Sequence, residues 1–127
     1  MLVDTDVFIW YFRGDRRAFQ AVEEESDLCM SVVTYMELVQ GMRDGNELRN
    51  LRRSLRRWNA RLLYVTEEIS ARAMFYVERH YLSHSLQIAD ALIGATATVH
   101  GRALLTANDR HYRAVKEIRI KRFRPSG

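Results

Sequence analysis

The sequence predicts an α/β fold in which helices cover both faces of a short central parallel sheet. Short apolar segments alternate along the chain with longer segments of helical periodicity, a pattern typical of parallel strands buried between helices. The chain has 127 residues, with no internal repeat and no low-complexity linker, and its one proline, Pro125, lies near the C-terminus. These observations predict a single domain over residues 1–127, which is long enough to bury a core.

Five short apolar segments are predicted to form the strands. Most contain few polar residues, as expected for strands that are covered on both faces. The last segment shows the alternation of Ile118 and Ile120 that is typical of a strand. The predicted strands are residues 1–4, 28–30, 62–65, 103–106 and 118–123.

The segments between the strands carry the start and stop signals of helices. Ser31 and Thr66 are suitable N-cap residues, Gly14 interrupts the first helical segment, and Gly101 ends the last. Residues 46–61 have the strongest pattern, because large apolar residues recur at helical spacing on one face. The predicted helices are residues 7–12, 17–25, 32–41, 46–61, 67–80 and 86–100.

Acidic residues stand in four otherwise apolar segments. Asp4 and Asp6 follow the first predicted strand, Glu37 and Asp90 lie in helices, and Asp109 follows the fourth strand. An unpaired carboxylate in apolar surroundings is costly unless it finds a cation or faces a cavity. Because sites in open α/β sheets form at the carboxyl ends of the strands, these acids are predicted to converge there. Carboxylates without histidine or cysteine neighbours favour Mg²⁺, with Mn²⁺ as an alternative.

Polar residues adjoin these acids. The hydroxyls of Thr5 and Thr106 are suited either to orient a ligand or to cap the helices that follow. Asn108 and Asp109 are adjacent, and Asp109 is the better candidate to face the pocket because it is charged. The His80 and His84 pair has the spacing of a helical zinc site, but no third ligand is evident, so an exposed pair is expected.

The cysteine content and the hydropathy of the chain predict a cytoplasmic protein. Cys29 is the single cysteine and has no partner for a disulfide within the chain, as is common in a reducing compartment. Met1 leads directly into the first apolar segment without the basic region of a signal peptide. No apolar run approaches the length that spans a membrane.

Four segments resemble, in order, the signature blocks of PIN-domain nucleases, namely LVDTDVFIWYF, SVVTYMELVQG, QIADALIGATA and LLTANDRHY. Within that superfamily they are most similar to the VapC-type toxins of bacterial and archaeal toxin–antitoxin modules. The resemblance implies that Asp4, Glu37, Asp90 and an acid of the last block hold one or two Mg²⁺ ions and hydrolyse RNA phosphodiesters. Asp6 departs from the family, in which this position is often Asn or Ser, and adds a possible carboxylate.

The resemblance also implies partners. A toxin of this family is restrained by a cognate VapB-like antitoxin, whose C-terminal segment covers the acidic pocket and the adjoining groove. A homodimer or a larger toxin–antitoxin complex is expected, with the aromatic surface of the N-terminal helices as a candidate interface. No membrane partner is expected.

An arginine stripe lies on the polar face of residues 46–61. The net charge of the chain is +4, and the basic residues are almost all arginines, whose planar guanidinium groups suit phosphate. The stripe is predicted to bind RNA or an acidic partner, or to form a solvated helix face. It consists of Arg49, Arg52, Arg53, Arg56 and Arg57.

Two other functions fit parts of the sequence. Asp4-Thr5-Asp6 resembles the two-aspartate motif of haloacid-dehalogenase-type aspartyl phosphotransferases. That chemistry normally uses a lysine to balance the phosphoryl group, and Lys116 and Lys121 lie beyond every acidic segment. The other alternative is a catalytically silent module that binds RNA or protein through the arginine stripe.

Overall fold

The computed structural model describes residues 1–83 and 85–126 and confirms the predicted α/β fold. All strand pairs are parallel, as the alternation of apolar segments and helices indicates. The strands are β1 (Leu2–Val3), β2 (Cys29–Ser31), β3 (Arg61–Leu63), β4 (Leu104–Thr106) and β5 (Ile120–Arg122). They form one sheet in the order β3-β2-β1-β4-β5.

Helices connect successive strands. They are α1 (Thr5–Phe12), α2 (Arg16–Glu23), α3 (Val32–Gln40), α4 (Gly45–Arg57), α5 (Glu67–His80), α6 (Ile88–Val99) and α7 (Asp109–Tyr112), with a 3₁₀ turn at Tyr81–Ser83. Ser31 and Thr66 cap α3 and α5 as predicted, each accepting a backbone N–H of the first turn. The sequence did not predict α7, because four residues are too few to show helical periodicity.

Neighbouring residues of each strand point to opposite faces of the sheet, so the protein has two cores. Leu2 and Leu104 pack on one face with Ile69, Ile93 and Tyr112, which belong to α5, α6 and α7. The opposite core is centred on Val3 and Leu105, and it includes Phe8, Val22 and Leu51 from α1, α2 and α4. The predicted covering of both faces is therefore confirmed.

Several element boundaries differ from those predicted. The helix predicted to reach residue 61 ends at Arg57, since Asn59 has a positive φ of 52° and the chain leaves the helix there. The following strand is therefore Arg61–Leu63 rather than residues 62–65. At the N-terminus, α1 begins at Thr5 instead of residue 7, because the Asp4 side chain accepts the Thr5 N–H and caps the helix.

The order of the strands reverses between β1 and β4. The chain steps from β1 to β2 to β3 on one side, and then returns to place β4 on the other side of β1. A crevice at such a switch point, at the carboxyl ends of the strands, is the usual ligand site of open α/β sheets. His84, the second member of the predicted histidine pair, lies outside the described residues. Within residues 1–83 and 85–126 no helix has the length and hydropathy required to cross a membrane.

A polar and aromatic cluster joins α1, α2 and the end of α4. Glu23 accepts hydrogen bonds from the Tyr11 hydroxyl at 2.6 Å, the Trp58 indole N–H at 2.7 Å and the Arg57 guanidinium at 2.8 Å. Tyr11 also stacks on Phe19 with ring centroids 5.6 Å apart. Arg57 is therefore committed to an internal ion pair and does not belong to a free arginine stripe.

We expect Glu23 to be a stabilising residue. Glu23→Ala should lower the free energy of unfolding by about 1–3 kcal/mol, because it leaves the indole of Trp58 and the hydroxyl of Tyr11 without their acceptor. Glu23→Gln keeps an acceptor and should cost less. Urea denaturation will measure both variants, with the exposed neighbour Glu24→Ala as the matched control. A loss in Glu23→Ala no larger than in the control would contradict this role.

Candidate active site

Asp4 lies at the switch point, buried between β1 and β4. Its side chain is 5% exposed. Its Oδ1 accepts the Thr5 N–H at 2.8 Å, and its Oδ2 accepts the Thr106 hydroxyl at 2.8 Å and the Tyr112 hydroxyl at 2.9 Å. The parallel pairing of Val3 with Leu105 brings Thr106, at the end of β4, beside Asp4. Donors from three separate parts of the chain thus compensate one buried carboxylate.

Tyr112 connects Asp4 to Asp90. Its buried hydroxyl lies 2.9 Å from Asp4 Oδ2 and 3.4 Å from Asp90 Oδ1. The other oxygen of Asp90 accepts the Gln87 N–H at 3.0 Å in a capping box at the start of α6, and lies 3.5 Å from His111 Nδ1. The sequence analysis did not identify Tyr112 as a site residue, because spacing along four helical residues does not show that its hydroxyl points inward.

Glu37 is connected to Asp4 through Thr5. The Thr5 hydroxyl donates to Glu37 Oε1 at 2.6 Å and also lies 3.0 Å from the buried Thr34 hydroxyl. This contact follows from the packing of α3 against α1. Thr5 therefore orients the carboxylate of Glu37. The Thr106 hydroxyl donates to Asp4 and accepts the Asn108 N–H at 3.0 Å. Neither hydroxyl caps a helix, because Asp4 caps α1 and α7 has no side-chain cap, and the predicted role of orienting a ligand stays a prediction.

Asp6 lies on the first turn of α1 and faces the segment after β4. Its Oδ2 accepts the Ala107 N–H at 2.9 Å. Its Oδ1 is buried and, within the part of the chain that the structure describes, has no hydrogen-bond partner. A buried carboxylate oxygen without a partner is unfavourable and indicates room for a ligand or a water molecule. We refer to Asp4, Asp6, Glu37 and Asp90, with their hydroxyl partners, as the acidic pocket.

Asp109 has different surroundings from those expected for a pocket ligand. Its carboxylate lies 3.4 Å from Arg122 Nε, 3.5 Å from Arg124 Nη2 and 3.7 Å from Arg113 Nη2. Asn108 contributes its backbone N–H to Thr106, and its side chain does not cap α7. The structure therefore brings Asp4 and Asp90 together through Tyr112, with Glu37 joined to Asp4 through Thr5, and pairs Asp109 with arginines at the side of the pocket.

Burial and like charge control the electrostatics of the pocket. The pKa of Asp4 is raised to about 7, first because burial disfavours the charged form and second because the Asp6 carboxylate is close; its hydrogen bonds act in the opposite direction. Burial likewise raises the pKa of Asp6. Burial and the charges of Asp4 and Asp90 raise the pKa of Tyr112, so its hydroxyl remains a donor. A cation in the pocket would relieve this repulsion.

The donor chemistry fits a hard divalent cation bound with water ligands. Within residues 1–83 and 85–126 no three Asp, Glu, His or Cys side chains are close enough to form a metal cage. The predicted set of four acids is thus not assembled as direct ligands. Mg²⁺ usually keeps several waters and needs one or two carboxylates from the protein, a number that Asp4 and Asp90 would be enough to provide. The free oxygen of Asp6 offers a further acceptor for a metal-bound water.

An open groove adjoins the acidic pocket on the side of Glu37. It has a volume of about 680 Å³ and lies between α1, α3 and α4. Its walls are mainly apolar, with Ile9, Phe12 and Met42 beside the charged Arg13 and Arg43. Phe12, one of the N-terminal aromatic residues, is 46% exposed and lines this groove.

Comparison with known proteins identifies the family of the chain and several similar proteins. The family model described as PIN domain matches residues 1–117. Ribonuclease VapC1 of Methanocaldococcus jannaschii is 27% identical over 124 residues, which are 95% of this chain and 85% of that protein. A toxin–antitoxin complex from Klebsiella pneumoniae superposes with a TM-score of 0.78 at 26% identity, covering 92% of this chain and 93% of that chain.

A more distant structure shares the fold. VapBC2 from Rickettsia felis, bound to a DNA fragment from its promoter, has a TM-score of 0.83 at 11% identity, covering 97% of this chain and 98% of that chain. The architecture is thus retained where little sequence identity remains.

The raised pKa of Asp4 predicts how the stability of the metal-free protein depends on pH. Between its ordinary pKa of 3.8 and about 7, folded Asp4 keeps a proton that the unfolded chain has released. The folded state is therefore favoured at low pH and loses stability as the pH rises through this window. The shift of Asp6 has the same sign.

Melting temperatures in EDTA at pH values of about 5 and 7 will test this prediction. Asp4→Asn should show a smaller decrease between the two pH values than the wild type. Glu24→Gln, at an exposed carboxylate, should retain the wild-type decrease. An unchanged pH dependence in Asp4→Asn would show that Asp4 is charged throughout the window.

Proposed function

The chain belongs to the PIN domain family, and from this premise we propose that it is a Mg²⁺-dependent endoribonuclease toxin of a toxin–antitoxin system. The observation that carries the proposal is the pairing of Asp4 with Asp90 through the Tyr112 hydroxyl at the switch point of the sheet. The similarity to a ribonuclease named VapC1 supports the same activity. We propose that the whole chain, residues 1–127, is one catalytic domain.

Asp4 and Asp90 are the residues that would hold the metal ion. Glu37 and Asp6 would accept hydrogen bonds from its water ligands, with Mn²⁺ as an alternative to Mg²⁺. Bound there, the ion would supply polarisation of the scissile phosphate and a more acidic water. The chain itself provides the negative charge that attracts the ion and the hydroxyl donors that hold Asp4 in place.

Orientation of the carboxylates is the main contribution of the neighbouring hydroxyl groups. Thr5 holds Glu37, and Tyr112 and Thr106 hold Asp4, so these acids have few alternative rotamers. Burial at the carboxyl ends of β1 and β4 limits competition by bulk water at Asp4. A cation that enters the pocket would therefore meet pre-oriented carboxylates rather than mobile side chains.

We propose that the partner of the chain is a separate VapB-like antitoxin that covers the acidic pocket and the groove beside Glu37. The groove offers apolar contacts next to the two arginines Arg13 and Arg43. Homodimerisation and a larger toxin–antitoxin complex are part of the proposal. Exposed apolar residues available for a dimer occur on α1 and α2, as expected from the sequence, and also near the start of α6. They are Phe12, Phe19, Tyr81, Leu82 and Ile88.

Asp4→Asn and Asp90→Asn should each reduce Mg²⁺-dependent cleavage of RNA by about 100-fold or more, because each removes charge from the place where the transition state is stabilised. The rate will be measured on a fluorescent single-stranded RNA, with EDTA as the metal-free reference. Asp27→Asn is the matched control, since Asp27 pairs with Arg61 at the amino end of β3. Wild-type cleavage rates in either pocket variant would overturn the assignment.

The same enzyme preparations will separate the alternative functions. A phosphotransferase would hydrolyse a small phosphate ester and would leave RNA intact. A silent binding module would act on neither substrate.

Metal binding is expected to be measurable from the melting temperature, without an assay of RNA cleavage. Mg²⁺ should raise the melting temperature of the wild type, because a ligand that binds only the folded state stabilises it. The increase should be smaller in Asp90→Asn, whereas Asp27→Asn should respond as the wild type does. An equal increase in Asp90→Asn would place the ion elsewhere.

A further inference from the structure

We propose that Arg113, Arg122 and Arg124 form a binding site for the backbone phosphates of single-stranded RNA, beside the acidic pocket, and that Asp109 holds these arginines in place. We call the three residues the arginine cluster. The inference rests on the proposed function, since the RNA is the substrate of that site. It differs from the sequence analysis, which placed RNA on the arginine stripe of α4 and Asp109 among the metal ligands.

The arginine cluster is assembled from separate parts of the chain. Arg122 is the last residue of β5, Arg124 follows it, and Arg113 follows α7. Their guanidinium nitrogens lie between 3.4 and 3.7 Å from the carboxylate of Asp109, whose side chain is 17% exposed. A single half-buried carboxylate thus gathers three guanidinium groups at one place.

Strand register places the cluster next to the pocket. Arg122 is the register partner of Thr106 in the parallel pairing of β4 with β5. Paired strands lie about 4.8 Å apart, and the Thr106 hydroxyl is 2.8 Å from Asp4 Oδ2. An RNA strand with one phosphodiester at Asp4 therefore extends past Arg122 if it leaves the pocket toward β5.

The charge of the cluster is suited to phosphate. Three guanidinium groups against one carboxylate leave an excess of two positive charges, and the arginine side chains remain 74%, 63% and 48% exposed. A guanidinium group has five N–H donors, so each arginine can bind phosphate while it keeps its contact with Asp109. Guanidinium groups bind phosphate oxygens in a bidentate manner. An acidic polypeptide offers similar charge, but the antitoxin contacts proposed above extend into the groove on the side of Glu37, whereas the cluster adjoins Thr106 on the side of β5.

The arginine stripe on α4 is less well placed. Leu51 anchors α4 in the core that contains Phe8, whereas Tyr112 of α7 packs in the core on the other face of the sheet. Arg53 contacts Asn50 of its own helix at 3.4 Å, and Arg57 is bound to Glu23. The stripe therefore lies on a different side of the molecule from α7 and is not adjacent to Thr106.

The experiment compares two double variants that remove the same charge. Arg113→Gln with Arg122→Gln changes the most exposed members of the cluster and leaves Arg124, which also binds backbone carbonyls. The control is Arg61→Gln with Arg119→Gln, since Arg61 begins β3 and Arg119 directly precedes β5, at the opposite ends of the strands. Binding of a short fluorescent single-stranded RNA will be followed by anisotropy in EDTA, which prevents Mg²⁺-dependent cleavage.

The double variant Arg113→Gln with Arg122→Gln, here the cluster variant, should bind the RNA about tenfold more weakly than the wild type at low salt. Its slope of log affinity against log salt should be shallower by about 1.4, because each lost phosphate contact accounts for about 0.7 with single strands. In Mg²⁺, its KM for RNA should rise while kcat stays near the wild-type value. The control variant should match the wild type in all three measurements.

Several outcomes would contradict the proposed role of the arginine cluster in binding RNA. Wild-type affinity and salt slope in the cluster variant would do so, as would an equal loss in the control variant. Loss of binding to polyglutamate with retained RNA binding would make the cluster a protein-binding surface instead. Should the double variant melt well below the wild type, Arg113→Gln alone replaces it, because this side chain is 74% exposed.

The experiments distinguish failure of the proposed nuclease activity from failure of the proposed RNA site. A wild type that binds RNA but does not cleave it, with weaker binding in the cluster variant, would refute the nuclease and support the RNA site. A wild type that does not bind RNA would refute both. The role of Asp109 has its own readout, since Asp109→Asn should retain the wild-type rise in melting temperature with Mg²⁺. A reduced rise would return Asp109 to the metal site.

Discussion

The burial of a carboxylate at the carboxyl end of β1 is the constraint on which the rest of the structure depends. Asp4 is almost inaccessible to solvent, and a buried carboxylate requires donors in a defined geometry. A backbone N–H of α1, a hydroxyl at the end of β4 and a hydroxyl from α7 supply them. The order and register of the strands, and the position of α7, are therefore tied to one side chain.

The same constraint prepares the pocket for a cation. Asp4 and Asp6 are held near each other by hydrogen bonds with neighbouring groups although their charges repel, and Asp90 shares the Tyr112 hydroxyl with Asp4. The raised pKa of Asp4 records this cost, and a divalent ion would remove it. If the proposed metal site is correct, the stability lost by burying these acids is exchanged for affinity toward a compensating charge.

The arginine-rich composition has at least two structural outcomes. Arg57 is used internally, where it shares Glu23 with Tyr11 and Trp58. The arginine cluster around Asp109 retains excess positive charge next to the pocket and exposes it to solvent. The two groups differ in the number of arginines that share one carboxylate, since Glu23 pairs with Arg57 whereas Asp109 lies near three guanidinium groups.

The sequence by itself determined much of the fold. Apolar segments, N-cap residues such as Ser31 and Thr66, and the glycine that ends α6 predicted the strands, the helices and their parallel arrangement. These features are local, since capping and periodicity depend on residues within one or two turns. The positions of Asp4 and Asp90 in apolar segments likewise indicated a site at the carboxyl ends of the strands.

The tertiary structure alone decided which partner each polar side chain has. Thr106 and Tyr112 reach Asp4 across 102 and 108 residues, and Arg122 and Arg124 reach Asp109 through the pairing of β4 with β5. Arg113 alone is a local partner of Asp109, four residues further along the chain. Periodicity shows which face of an element is buried, but it does not contain the strand order or the register that brings distant segments together. For this reason the sequence did not show that Tyr112 contacts Asp4 or that Arg122 and Arg124 lie beside Asp109, since both facts depend on contacts between segments and not on the segments themselves.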